Sequence, residues 1–217
     1  MSWNYYWASG AHGEQPRYNQ FTHNNCAVGC GPVAWAMLFG WADRQAAYGN
    51  PYWAGRWGLY RQNGGYGVDV MAPIYHDAGV SNIIREINGY VGTFCMFGSG
   101  ATYPWSMGEA WRYLSGRSGG WLQTHWNSVG IHEGWLADWA ANQIMYRSTP
   151  AVIGTGWLSH YPVAYGYAWQ RRVIRKCFIW CWDEVVYDRC FYVNQGWGGS
   201  GNEWVSASTW FAGSLFP

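Results

Sequence analysis

A change of periodicity at Pro150 divides this chain into two kinds of sequence. Before it, apolar residues recur three and four apart, as helices that bury one face require. Residues 31 to about 46 predict a helix with Val33, Met37, and Leu38 or Trp41 on one face. A short helix is expected over Val68 to Ala78, stopped by Gly79, while Ser81 to Val91 shows no decided period. Ser99 to Ser106 is turn-rich and leads into a helix over Met107 to Leu114. His132 to Arg147 carries a helical stripe of Trp135, Leu136, Trp139, Ile144 and Met145, which reads as a face packed on the core and is closed by Pro150. Beyond Pro150, five runs read as strands: Ala151 to Thr155, Tyr161 to Tyr167, Val173 to Trp182, Val185 to Val193 and Trp204 to Ser208. Residues 1 to 19 read as an extended arm, and Asn50 to Gly67 as a loop punctuated by Gly, Trp and Tyr. The expected fold class is α+β, with one domain over residues 1–217: a helical lobe at about 20–149, then an antiparallel β lobe at about 150–217. The cleft between two such lobes is the expected place for a site.

Composition narrows the function classes. The net charge is +1, which provides no field for nucleic acid or an acidic membrane, and neither is expected as a partner. No stretch has the eighteen or so apolar residues of a membrane span, and the N-terminus lacks the basic start and apolar core of a signal peptide. Met1 then reads as the start of a mature or excised domain. Nineteen Trp and seventeen Tyr suit a broad substrate groove as well as a core, so their number does not choose between the two. Six cysteines fit an oxidising compartment or a reduced enzyme, and the aromatic, Gly-rich character favours secretion.

The candidate chemistry begins at Gly29-Cys30-Gly31-Pro32, where a polar approach gives way to the apolar run Val33 to Phe39. Pro32 suits the first turn of a helix, which places Cys30 at a helix N-terminus. Unpaired N–H groups and the macrodipole there favour a thiolate and supply donors for an oxyanion. The plainer reading is a buried small residue or half of a disulfide. A thiolate acting on an acyl group needs a base, and the base needs an orienting partner. Among six histidines, His160 stands apart: it opens an alternating apolar strand and faces the helical lobe, although a strand-end histidine can equally satisfy a local carbonyl. Tyr192-Val-Asn194-Gln-Gly-Trp197-Gly-Gly199 then ends a strand on an amide beside an indole. The Asn194 amide could accept from the imidazole and Trp197 could shield that bond, or the turn could be a glycine-rich hairpin with a structural asparagine.

Taken in order, Gly29-Cys30-Gly-Pro-Val-Ala34, Pro150 to Thr155 with His160 to Gly166, and Val193 to Gly199 resemble the papain-like cysteine peptidases, nearest to the streptopain family, with some likeness to the double-glycine leader peptidases. The likeness runs over about residues 20–205 and is carried by three short motifs. It implies a papain-like two-lobed fold and a monomeric, secreted endopeptidase acting on protein or peptide substrates, with no metal and no cofactor. By the same likeness Cys30 is the nucleophile, His160 the general base and acid, Asn194 the orienting residue and Gln20 the side-chain oxyanion donor. Gly29, Gly31 and Trp197 would line the substrate groove. Gln20 lies ten residues before Cys30 and six before Cys26, so Cys26 is a rival nucleophile, set aside because Cys30 directly precedes the helix.

The other cysteines allow several readings. A hairpin turning at Asp183-Glu184 would set Cys177 opposite Cys190, within disulfide reach. A zinc site from Cys177, Cys181 and Cys190 with a histidine lacks the paired spacing such sites use. A Cys26–Cys95 bridge follows by analogy with the bridged cysteine before the nucleophile in papain relatives. The same three residues could also serve a cell-wall peptide amidase, a deamidase or a transglutaminase, and an aromatic-rich module that binds sugars or peptides is the non-catalytic alternative.

Overall fold

A computed structural model describes residues 2–57 and 71–217. The elements run in the order β1 (Asn4–Trp7), β2 (Thr22–His23), β3 (Cys26–Ala27), α1 (Cys30–Ala47), α2 (Ala78–Tyr90), β4 (Phe94–Met96), β5 (Ser99–Ala101), a 3-10 turn (Pro104–Ala110) and α3 (Trp111–Leu114). There follow β6 (Trp121–Trp126), α4 (Gly134–Arg147), β7 (Ala151–Ile153), β8 (Val163–Cys177), β9 (Cys181–Asn194), β10 (Glu203–Ser206) and β11 (Phe211–Phe216). Among the described residues the fold is mixed α+β, four helices with a mainly antiparallel sheet.

The helix α1 is the centre of the molecule. Every residue from Gly31 to Ala46 is buried, so the expected single apolar face is in fact an apolar helix enclosed on all sides. Its two interior charges are matched at one residue: Asp43 accepts from the Ala72 N–H at 2.8 Å, and Arg44 donates to the Ala72 carbonyl at 2.7 Å. Such pairing is what allows charged groups into a core. The short helix expected over Val68 to Ala78 is not seen in its described part. Val68 to Val70 lie outside the described residues, 71–77 are not helical, and α2 instead begins at Ala78, where Asp77 caps it by accepting from the Val80 N–H at 2.9 Å.

The main sheet has the order β10-β9-β8-β7-β11-β6, with β1 paired to β8. Successive side chains on a strand face opposite ways, and here they enter two different cores. Val152, Val163, Tyr165, Phe211 and Leu215 pack with α1, α2 and α3. Ala151, Ile153, Ala164, Phe191, Val193 and Ala212 pack with Leu136, Ala140 and Ile144 of α4. The sheet therefore lies between α1 on one face and α4 on the other. This corrects the division at Pro150: β1 and β6 come from before it and join the sheet, and α4 packs on the sheet's far face. A bulge between Ala164 and Gly166 turns Tyr165 and Tyr167, two residues apart, to opposite faces.

Val163–Cys177 form one continuous strand, β8, which takes in most of expected strand 161–167 and the first part of 173–182. The rest of the latter is the hairpin turn, Phe178 to Trp180 rather than Asp183-Glu184, and the start of β9. Cys177 consequently faces Cys181, and these two are bridged, while Cys190 pairs with Ala168 and is free. Ion pairs fix this register: Arg172 with Asp188, Arg175 with Asp183, and Lys176 with Glu184. A second bridge joins Cys26 to Cys95.

Candidate active site

The first turn of α1 is set by glycine. Gly29 caps the helix at φ 86°, a conformation that side chains rarely adopt, and any Cβ there would meet the Gly100 carbonyl oxygen at 3.0 Å. A Cβ on Gly31 would meet the Met107 sulfur at 2.8 Å and Thr102 Oγ1 at 3.2 Å. Both glycines are buried, because the Ser99–Met107 stretch seals this side of the helix. They admit close packing around Cys30, where a larger residue would not fit.

Cys30 is the first residue of α1, and its thiol is free. The backbone N–H groups of Tyr161, of Cys30 itself and of Gly31 lie around the sulfur and favour its thiolate. Tyr161 directly follows His160, so the head of α1 and the turn between β7 and β8 meet at the sulfur. That turn is tied down on both sides. The Thr155 N–H donates to the His160 carbonyl at 2.9 Å, and the Trp210 indole N–H donates to the Gly156 carbonyl at 2.9 Å. Tyr161 is anchored in turn by its hydroxyl, which donates to the Thr102 carbonyl at 3.0 Å.

His160 Nε2 lies 2.9 Å from the backbone carbonyl of Gln195. A carbonyl only accepts, so Nε2 carries the proton and Nδ1 keeps its lone pair. The orienting group is thus a peptide carbonyl, and the part expected of the Asn194 side chain is played one residue later. Asn194 is fully buried with its amide committed elsewhere: Nδ2 donates to Gln15 Oε1 at 3.1 Å and to the Pro16 carbonyl at 3.0 Å, and Oδ1 accepts from the Gly196 N–H at 3.0 Å. By accepting from the Gly196 N–H it fixes the Gln195–Gly196 peptide and so aims the carbonyl that holds the imidazole. Gln195 also donates to Glu203 at 3.2 Å. Trp197 stands beside the imidazole, ring centroids 5.4 Å apart, and remains half exposed. Asn19 bridges to Trp197, which brings Gln20, the next residue, along this same turn.

Burial dominates the electrostatics. It pushes the Cys30 thiol upward, against the three N–H groups that favour the thiolate. It also lowers His160, against the Gln195 hydrogen bonds that favour the imidazolium. The resting pair is a neutral thiol and a neutral imidazole, not the thiolate that the helix terminus alone would favour. Tyr161 is raised by burial and by the neighbouring Cys30, so its phenol stays protonated.

Tyr161, the residue after His160, also lines a cavity of about 360 Å3 whose walls include Phe94, Tyr103, Trp105, Leu158 and Trp210. Three rings of its wall stack in series, Phe94 on Tyr103 at 4.8 Å and Tyr103 on Trp105 at 4.4 Å. Sequence reasoning missed this wall, whose residues sit in turns and short strands without periodic signal, and it missed Gln195 and Tyr161, whose contributions come from the backbone. The Cys26–Cys95 bridge removes Cys26 as a rival nucleophile. His76 is committed elsewhere, accepting from the Asn19 N–H at 3.0 Å while its other nitrogen meets Ser81 at 2.8 Å. No protein-family model matches the chain, and no curated protein matches it.

Proposed function

We propose that the protein is a cysteine hydrolase, a papain-like endopeptidase, secreted and monomeric, that cleaves peptide bonds through Cys30 and His160. One observation carries this reading: the free Cys30 thiol, at the head of a buried helix, lies near the backbone N–H of Tyr161, the residue next to an imidazole whose Nδ1 is left as acceptor. In the reaction the Cys30 thiol gives its proton to Nδ1 of His160 as sulfur attacks the scissile carbonyl carbon. The oxyanion is held by the N–H groups of Cys30 and Gly31, with Gln20 as side-chain donor. Collapse expels the amine, which takes the proton from His160 and leaves a thioester. His160 then deprotonates a water that attacks the thioester, releasing the acid and returning the proton to sulfur. The aromatic cavity lined in part by Tyr161 suits a bulky apolar side chain of the substrate.

The stacked wall supports a second reading within the same chemistry, an amidase on cell-wall peptide, because Tyr103 and Trp105 are about half exposed and offer rings to a sugar. The two kinds of substrate are compared directly by incubating the protein with denatured casein and with purified peptidoglycan. Cys30→Ala is expected to abolish turnover on whichever is cleaved while leaving thermal unfolding nearly unchanged. Full activity in that variant would end the proposal.

A further inference from the structure

The hairpin of β8 and β9 leaves the body of the protein. Strand neighbours flank it only near its base: β7 at Val163 and Ala164, β1 at Gly166 to Trp169, and β10 at Cys190 to Val193. From Gln170 to Arg189 it is a two-stranded ribbon with no other strand beside it among the described residues. At its apex stand Phe178, Ile179 and Trp180, exposed by 88%, 80% and 70%. No charged residue occurs from Cys177 to Trp182, and the Cys177–Cys181 bridge closes the loop at its neck. Two-stranded ribbons are marginal in water and exposed apolar tips are unfavourable there, so a covalent clamp that holds such a tip in place points to a docking device.

We infer that this apex docks into the interfacial region of a lipid bilayer. The order of side chains along the ribbon matches the polarity of that interface. The three apolar residues come first, then Trp182, then the cations Lys176, Arg175, Arg172 and Arg171. Indoles at the headgroup level with Lys and Arg reaching back to the phosphates is the arrangement that interfaces favour. Ribbon residues 170–189 hold five cations against the three carboxylates Asp183, Glu184 and Asp188, and Arg171 has no carboxylate partner among the described residues. The ribbon therefore carries a net positive charge that complements anionic headgroups. The depth also agrees. At about 3.4 Å per residue, the two or three residues between the first charged pair and the apex span roughly 7–10 Å, against the 5–10 Å that interfacial segments bury. A convex tip needs no matching cavity in a fluid interface, whereas a protein partner would have to supply one. The bridge holds the apex in its docking shape beforehand, which lowers the ordering cost of insertion. Low net charge and the lack of a spanning stretch led to the expectation of no membrane partner. Neither bears on a three-residue apex.

Flotation of the full chain with vesicles of phosphatidylcholine, alone or mixed with phosphatidylserine, tests this. The protein is expected to float with both, more tightly with the mixed vesicles, and less tightly at high salt. The double substitution Phe178→Ser and Trp180→Ser should weaken binding by at least about tenfold, each lost apolar side chain removing buried area. Ile179→Asp, at a fully solvated position, should do the same without touching either ring. Peptide hydrolysis on a soluble substrate, far from the apex, should not change. Absence of flotation, or equal flotation of the apex variants, would overturn the inference. So would concentration-dependent self-association that the apex variants abolish in a protein that ignores vesicles, since the occupant would then be a second copy.

Discussion

At Cys30 two influences on the thiol oppose one another. The N–H groups of Cys30, Gly31 and Tyr161 favour the anion, and the packed surroundings oppose it more strongly. The sign of the pH dependence follows. A thiol raised above its ordinary value, about 8.5, holds less thiolate at neutral pH than a free cysteine does. The rate of Cys30 alkylation by iodoacetamide, followed by mapping the labelled peptide, should therefore climb steadily through and beyond that value. A plateau reached in the acid range would mean a resting thiolate–imidazolium pair and would contradict this account. His160 is shifted the other way and stays neutral to below its ordinary value of about 6.5. The acid limb of peptide hydrolysis, where protonation removes the base, should accordingly lie below that pH. Tyr161 supplies an N–H and no acid chemistry, so no further alkaline limb is assigned to it.

The element that aims the imidazole is the turn Asn194 to Trp197, and its shape depends on a segment at the other end of the chain. Asn194→Ala removes the partner of Gln15 Oε1 and of the Pro16 carbonyl and frees the Gly196 N–H. Buried groups left unpaired cost about 1–3 kcal/mol, and urea unfolding should register a loss of that size. Because Asn194 acts through the Gln195 carbonyl, the variant should also lose turnover with little change in KM, whereas a purely structural role would leave the rate of the folded fraction intact. Sequence alone could place Cys30, since Gly-Cys-Gly-Pro before an apolar run has few structural solutions, and it could single out His160 and the Asn-containing turn. It could not tell an asparagine side chain from the following carbonyl, because Gln15 and Pro16 decide that and nothing local marks them. The start of α2 is legible in Asp77 as a cap, although Gly79 two residues on carries the signal of a helix stop. The strand β11 was not legible: Gly213 and Ser214 interrupt its apolar pattern, and Gly213 is there because a Cβ would stand 3.0 Å from the Trp35 ring. The ribbon's register was hidden for a different reason. Asp183-Glu184 looks like a turn until the cations of β8 are set opposite.

For the molecule as a whole, the two disulfides fit an oxidising milieu, and no described helix is long and apolar enough to cross a membrane. The bridges differ in reach. Cys26–Cys95 closes a separation of 69 residues and ties the approach to α1 to the β4–β5 hairpin, while Cys177–Cys181 closes only 4. Loop-closure entropy gives about 4 kcal/mol for the first and about 2 kcal/mol for the second. The paired substitution Cys26→Ser with Cys95→Ser should therefore lower the urea midpoint well below that of Cys177→Ser with Cys181→Ser. Equal midpoints would mean that the longer bridge constrains little in the unfolded chain.

The helix that carries Cys30 is enclosed for nearly its whole length, so the proposed nucleophile rides on the least yielding part of the molecule. Warming cannot loosen it piecemeal: catalysis and the core should be lost in one event, with no inactive but still folded form in between. Adaptation to differently shaped substrates then has to come from the far wall, where the stacked rings sit on turns that can shift without disturbing the helix.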